Sequence, residues 1–303
     1  MFVYNARFMF VSAYHHNRSM TNTEKTLAEI TVIGKDREGV VADITNFIFK
    51  SGGNIEQIKQ KVVRGLFGMH LEASFQSINP LMLDDGLKQL SKRLQMEIKV
   101  HYEEPTRVKN VAILASREDH CLLKILDSNR TGGIKANLPV IIGSDSSLKS
   151  IGDNYGIPFH TVAYTDEIEQ TENNILQLIE RYNIDLIVLA RYMRILSPNF
   201  VWRYPNRIIN IHPSLLPAFP GAYAYVQAYE RGAKIVGCTA HFVTEELDQG
   251  PIICQDSFKV FESDTLESIK KKGQALEAST LLEAIKLYLE GRLEVYWGRV
   301  YRN

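Results

Sequence analysis

The sequence predicts an α/β protein built from an N-terminal ferredoxin-like βαββαβ module and a doubly wound, mostly parallel sheet with helices on both faces. Three observations predict it. Over residues 27–100, strand-like alternation and helix-like 3.6-residue spacing succeed one another in the order βαββαβ. From residue 108 on, short apolar runs at 108–115, 138–142, 159–163, 185–190 and 207–211 alternate with helix-like ones, as parallel strands joined by crossovers do. Between the two stands Glu103-Glu104-Pro105-Thr106, short, charged and broken by proline. The expected division is therefore a disordered leader over 1–25, a small module over 26–103 and a larger domain over 104–303, with the linker at about 103–107.

The leader mixes Phe2, Tyr4, Phe8, Phe10 and Tyr14 with Arg7 and Arg18 and carries no acid before Glu24. It lacks the continuous apolar stretch of a secretory signal and any amphipathic repeat. Met20 stands just ahead of the first structured pattern, so the residues before it are expected to be dispensable.

The first strand is read at 27–33. Gly34-Lys35-Asp36-Arg37-Glu38-Gly39 turns into a helix with Val40, Val41, Ile44, Phe47 and Ile48 on one face, and Gly52-Gly53 ends it. A second strand follows at 54–63. In the third, Phe67, Met69, Leu71, Ala73 and Phe75 alternate with Gly68, His70, Glu72, Ser74 and Gln76, the mark of a half-buried strand. Pro80 opens a helix with Leu83, Leu87, Leu90 and Leu94 on one stripe, and Met96, Ile98 and Val100 form the last strand. In the larger domain, 235–260 contains no helical pattern and is expected to add strands and loops beside the site. A closing helix at about 265–290 places Leu266, Ile269, Leu276, Leu281, Ile285 and Tyr288 near one face. After the domain's first strand stands Ala115-Ser116-Arg117-Glu118 and no glycine-rich phosphate loop, so no dinucleotide cofactor is expected.

Composition narrows the function. The 303 residues include 35 basic and 35 acidic ones, a balance that gives no electrostatic footprint for nucleic acid or an anionic membrane. No apolar run approaches the roughly 20 residues that cross a bilayer. Cys121, Cys238 and Cys254 are far apart and form no metal-ligand or disulfide pattern, which suits a reducing, cytoplasmic compartment and predicts no metal site.

Chemistry is concentrated in Asn210-Ile211-His212-Pro213-Ser214-Leu215-Leu216-Pro217. Arg207-Ile208-Ile209 reads as a short buried strand, and in an open parallel sheet ligands bind where such strands run out. Residues 210 and 212 point to the same side, so an amide and an imidazole share the strand end. Pro213 and Pro217 stop regular structure and stiffen the loop. An isolated N-x-H more often only satisfies backbone groups. The wider run, followed by Thr239-Ala240-His241-Phe242-Val243 and Leu247-Asp248-Gln249-Gly250-Pro251-Ile252, resembles the paired signature of the folate-dependent formyltransferase superfamily. That resemblance implies Asn210, His212 and Asp248 as catalytic residues. For Asp248 to activate water near neutral pH, directly or through a proton relay with His212, its pKa must sit well above the ordinary value of about 3.9, which partial burial in the pocket is expected to provide.

Two further resemblances cover the chain from about Leu27 to its end. Gly34-x-Asp36-Arg37-x-Gly39-Val40-Val41-Ala42 with Gly53-Asn54-Ile55 resembles an ACT domain. This implies pairing between subunits and an amino-acid effector near Asp36, Gly39 and Asn54; the other reading is that Gly39 and Asn54 serve turns and caps and the module is only an oligomer interface. An ACT module ahead of a formyltransferase-like domain resembles the formyltetrahydrofolate deformylase family, as do His120-Cys121-Leu122 and the run from Val188 to Pro198. The resemblance implies hydrolysis of 10-formyltetrahydrofolate to formate and tetrahydrofolate, supplying formate for purine synthesis, with the folate as substrate and no cofactor. It implies a pteridine wall at Met193, Arg194, Ile195 and Leu196, whose backbone groups read the ring, with His241 also in the substrate site. Formyl transfer to an amine acceptor and a non-catalytic sensor are the alternatives. Two departures from the pattern are Gly143-Ser144-Asp145, where Ser-Asn-His is usual, and Tyr223-Ala224-Tyr225 after Gly221-Ala222, where Lys or Asn and then Pro are usual.

Overall fold

The computed structural model describes residues 25–102, 104, 106–163, 165–218, 221 and 223–303. The reading of the leader, apart from Lys25, and the position of Ala222 lie outside them. The chain divides into two compact units between Glu103 and Glu104.

The first unit runs β1 (Thr26–Lys35), α1 (Val40–Lys50), β2 (Gly53–Val63), β3 (Leu66–Phe75), α2 (Pro80–Leu94) and β4 (Glu97–Tyr102). Its antiparallel sheet has the order β2-β3-β1-β4, the predicted ferredoxin-like arrangement. Local chemistry sets the helix ends. Asn79 accepts from the Leu81 N–H, and Pro80 takes the first helical position, where its missing N–H costs nothing. Leu83, Leu87, Leu90 and Leu94 are buried together, each contributing about 2 kcal/mol. On α1 the buried stripe is Val40, Ile44 and Ile48, and Val41, expected on it, is exposed.

The effector reading meets a geometric correction here. Gly39 caps α1 with φ at +84°, and Asp36 is exposed just beyond β1. Asn54, however, lies inside β2 and donates from Nδ2 to Glu56 Oε1 at 2.9 Å. Asn54 pairs with Ser74, which pairs with Leu27. Asp36 is thus nine strand positions away, roughly 30 Å at about 3.3 Å per residue. One ligand cannot touch both residues of a single chain.

The second unit is β5 (Asn110–Ala115), α3 (His120–Arg130), β6 (Asn137–Gly143), α4 (Lys149–Tyr155), β7 (Phe159–Thr161), α5 (Ile168–Arg181), β8 (Leu186–Ala190), α6 (Pro198–Val201), β9 (Ile208–His212), α7 (Ala224–Glu230), β10 (Ile235–Phe242), β11 (Ile252–Lys259), α8 (Leu266–Leu289) and a hairpin of β12 (Leu293–Tyr296) and β13 (Arg299–Arg302). The seven-stranded sheet has the order β11-β10-β9-β8-β5-β6-β7. Strands β9, β8, β5, β6 and β7 are parallel, and β10 is antiparallel to both β9 and β11. On β5, Val111 and Ile113 pack with α3 and α8, whereas Ala112 and Leu114 pack with α5. Both faces are covered, which is why these strands read as continuous apolar runs. The chain winds one way from β5 through β7 and the other way from β8 to β9, so the switch point lies between β5 and β8.

The closing helix departs from its expected single stripe. Its buried residues include Ile269, Gly273, Glu277, Ala278, Thr280, Leu281, Leu282, Ala284, Ile285 and Leu287, whereas Leu266 and Tyr288 are only half-buried. Packing against several elements leaves it no simple polar face. The C-terminal hairpin had no sequence expectation. No described helix is long and apolar enough to cross a membrane.

Candidate active site

At the carboxyl ends of β8 and β9 opens a cavity of about 720 Å³. Its lining includes Met193 to Leu196, Asn210, His212, Tyr223, His241 and Asp248. That volume suits a drug-sized or cofactor-sized molecule.

Strand pairing assembles the polar groups. In the β9–β10 register Asn210 stands opposite His241 and His212 opposite Thr239, and directly paired residues share a face. His241 is buried, and its Nδ1 lies 2.9 Å from the Phe242 carbonyl oxygen. A carbonyl only accepts, so Nδ1 carries the proton and Nε2 accepts from Asn210 Nδ2 at 3.2 Å. Burial lowers the His241 pKa and keeps the ring neutral. His241, expected to bind substrate, therefore orients the Asn210 amide. Thr239, fully buried, accepts from the Leu216 N–H at 3.0 Å and donates to the Ser214 carbonyl at 2.7 Å, pinning the proline-bounded loop after His212.

Asp248 arrives on the loop between β10 and β11. Its Oδ2 lies 3.4 Å from His212 Nδ1 and accepts from the Gly221 N–H at 3.0 Å. Both side chains of the pair are 7% exposed. The Asp248 backbone is left-handed, φ +56°, a strained state that is held by its surroundings. Gly250 fixes the far side of that loop: a Cβ there would stand 1.7 Å from the Phe242 carbonyl oxygen, so only glycine fits.

The electrostatics overturn one expectation. Burial pushes the Asp248 pKa up, but the hydrogen bond and charge of His212, the Gly221 N–H and the nearby His241 together hold it below the ordinary carboxyl value. The Asp248 pKa is thus lowered, where the sequence reading expects it raised. The carboxylate is a firm acceptor for the His212 Nδ1–H, which leaves Nε2 as the ring's basic nitrogen.

The expected pteridine wall lines the cavity, with Met193 57% and Ile195 68% exposed and Leu196 buried. It is fastened at both ends. Glu172, buried on α5, accepts from the Ser197 N–H at 2.6 Å and from the Ser197 hydroxyl, while Ser197 caps α6. At the other end the Met193 N–H donates to Ser116 Oγ at 3.1 Å, so that backbone group is already engaged and does not read a ring. Ser144, one of the departures from the family pattern, donates to the same Ser116 oxygen at 3.2 Å. Gly143, Ser144 and Asp145 do not line the cavity, whereas Tyr223, 80% exposed, does.

Among the described residues, His120, Cys121 and Glu277 bring a ring nitrogen, a thiol and a carboxylate within 4.8 Å of one another. Arg191 Nε lies 3.3 Å from Glu277 Oε2, so a fixed positive charge already answers that carboxylate, and the group is poorly suited to a cation. Burial also raises the Cys121 pKa, which disfavours the thiolate a metal needs. Sequence patterns gave no warning of this cluster, because Glu277 stands 157 positions from His120 along the chain.

Residues 27–101 match the ACT domain model, and residues 109–285 match the formyl transferase model. A formyltetrahydrofolate deformylase of Synechocystis is 41% identical over 278 residues, which cover 90% of this chain and 96% of that relative. The crystal structure of a formyltetrahydrofolate deformylase from Pseudomonas syringae pv. tomato aligns with a TM-score of 0.64 at 29% identity, covering 97% of this chain and 99% of that one. Glycinamide ribonucleotide transformylase 1 from Symbiobacterium toebii aligns with a TM-score of 0.62 at 36% identity, covering 67% of this chain and 96% of its own.

Proposed function

The chain belongs to the formyltetrahydrofolate deformylase family, which hydrolyses formyltetrahydrofolate to formate, and from that premise we propose how its own residues carry the reaction on 10-formyltetrahydrofolate. The observation that carries the proposal is the convergence of Asn210, His212 and Asp248 on one cavity, with His212 Nδ1 held 3.4 Å from Asp248. His212 Nε2 takes a proton from water as its oxygen bonds to the formyl carbon, and Asp248 steadies the resulting imidazolium. The carbonyl electron pair moves to oxygen, where the oriented Asn210 amide donates to the new anion. The tetrahedral intermediate then collapses: the carbon–N10 bond breaks, His212 returns its proton to N10, and formic acid leaves and ionises to formate. Met193 to Leu196 form the wall for the pteridine ring. No cofactor is needed, because the amide carbonyl is activated by its attachment to an aryl-conjugated nitrogen.

Transfer to an amine is the less favoured reading, since the deformylase from Pseudomonas aligns over both units and the transformylase over little more than the second. The test is direct. Purified protein with 10-formyltetrahydrofolate in buffer free of amines is expected to yield tetrahydrofolate and formate in equal amounts. Release that begins only when an amine acceptor is added would defeat the hydrolytic reading.

The ACT unit is proposed to pair with that of a second subunit. The separation of Asp36 from Asn54 supports this, since a site using both would draw one residue from each chain. Calorimetry against the standard amino acids is expected to find a binder, and the absence of heat with any of them would remove the effector. The free, buried cysteines support a reducing compartment, the cytoplasm.

A further inference from the structure

The last helix carries a carboxylate that the mechanism above does not use. Glu277 is 0% exposed, and burying an ionised group is costly unless it is well paired. Its Oε1 accepts from the Tyr225 hydroxyl at 2.5 Å. Its Oε2 lies 3.2 Å from His120 Nε2 and 3.3 Å from Arg191 Nε. Arg191 in turn donates from Nε and Nη2 to the two oxygens of Glu118, at 3.1 Å each. Four parts of the unit thus meet at one side chain: α3, the segment after β8, α7 and α8.

A second observation on the same helix concerns this contact. Gly273 lies one turn before Glu277, and a Cβ there would stand 2.3 Å from both Cζ and Oη of Tyr225. A mid-helix glycine is unfavourable, as is the buried charge one turn on. Together they let the Tyr225 ring press against the helix and deliver its hydroxyl to Glu277. Burial and the neighbouring carboxylate push the Tyr225 pKa far up, so the ring remains a phenol donor. Arg191 also has a left-handed backbone, φ +58°, where a non-glycine residue is strained.

Arg191 and Tyr225 both line the cavity, and Glu277 does not. Arg191 opens the segment that ends in Met193 to Leu196, whereas Tyr225 follows closely on Gly221, whose N–H holds Asp248. We propose that Glu277, on the reading of this cavity as the folate site, is a positioning residue that ties the pteridine wall, through Arg191, to the wall carrying the Asp248 anchor, through Tyr225. It sets the width of the cavity without touching the substrate.

The test uses the full chain and two readouts, steady-state kinetics with 10-formyltetrahydrofolate and calorimetric binding of tetrahydrofolate. Glu277→Gln keeps the volume but cannot accept from Arg191, Tyr225 and His120 together. Both KM and the tetrahydrofolate Kd are expected to rise at least about tenfold, with kcat changed by less than about threefold. Because removing one partner of a buried pair also destabilises, Tyr225→Phe provides a milder variant, expected to raise both constants by about threefold. The paired replacement Glu277→Leu with Tyr225→Phe removes the buried carboxylate together with the hydroxyl it accepts from, leaves Arg191 on Glu118, and is expected to restore Tm but leave Kd raised. Recovery of wild-type Kd along with Tm in that pair would make the cluster merely structural and overturn the proposal, as would a Glu277→Gln protein with unchanged Kd. Wild-type protein that binds tetrahydrofolate but releases no formate would count against the proposed reaction and leave the positioning role standing on its binding readout.

Discussion

Asp248→Asn is expected to lower formate release by about a thousandfold or more, with folate binding nearly unchanged. The substitution is close in shape, and asparagine is among the non-glycine residues that best tolerate the left-handed backbone found at 248, so a loss would not come from a displaced loop. What changes is the partner of His212. An amide can turn its N–H₂ toward Nδ1 and place the ring proton on Nε2, where it blocks removal of a proton from water. His212→Ala is expected to cost as much, and the double variant no more than the worse single one, because the pair acts as a unit. Turnover by Asp248→Asn within tenfold of wild type would sink the assignment. The pKa direction adds a pH dependence. A carboxyl held below its ordinary value is charged, and its bond to His212 contributes, at every pH above the unfolded pKa of about 3.9; that contribution is lost only as pH falls through the lower folded value. Asp248 therefore predicts no acid limb in kcat/KM above about pH 4. Carboxyl-carbon NMR that found the Asp248 side chain protonated at neutral pH would contradict the depressed pKa.

Asn210→Ala is expected to lower kcat by roughly a hundredfold, about 3 kcal/mol, with KM little changed, because the lost donor acts on charge that appears only in the transition state. The His241 contact makes the prediction sharper. Nδ2 is aimed by a neutral, buried imidazole whose own proton is tied to the Phe242 carbonyl. Asn210→Asp should do no better than alanine, since an anion would face the developing oxyanion and no N–H would remain for it. Rapid-quench measurement of the first turnover separates this from slow product release. A KM that rises as much as kcat falls would mean that Asn210 holds the ground state and not the intermediate.

Periodicity and spacing by themselves determine most of the architecture. The leucine stripe of 83, 87, 90 and 94, the alternation of 67 to 75 and the apolar runs of the larger domain each report a local environment, because burial on one face or two imprints a period on the chain. The three polar residues Asn210, His212 and Asp248 were legible through the resemblance of their two motifs to a paired family signature; spacing alone put only Asn210 and His212 on one side of a strand end. Tertiary structure alone decided what depends on groups distant in sequence. The direction of the Asp248 pKa follows from a competition between burial and partners that no local pattern records. The engagement of the Met193 N–H depends on Ser116, 77 residues earlier. Asp36 and Asn54, expected around one effector, lie at opposite ends of a sheet by strand register. Glu277 belongs to no sequence motif, and His120, its partner 157 positions away, reads only as part of a local run. Sequence carries short-range periodicity directly, whereas charge pairing and desolvation are sums over neighbours that only the folded chain brings together.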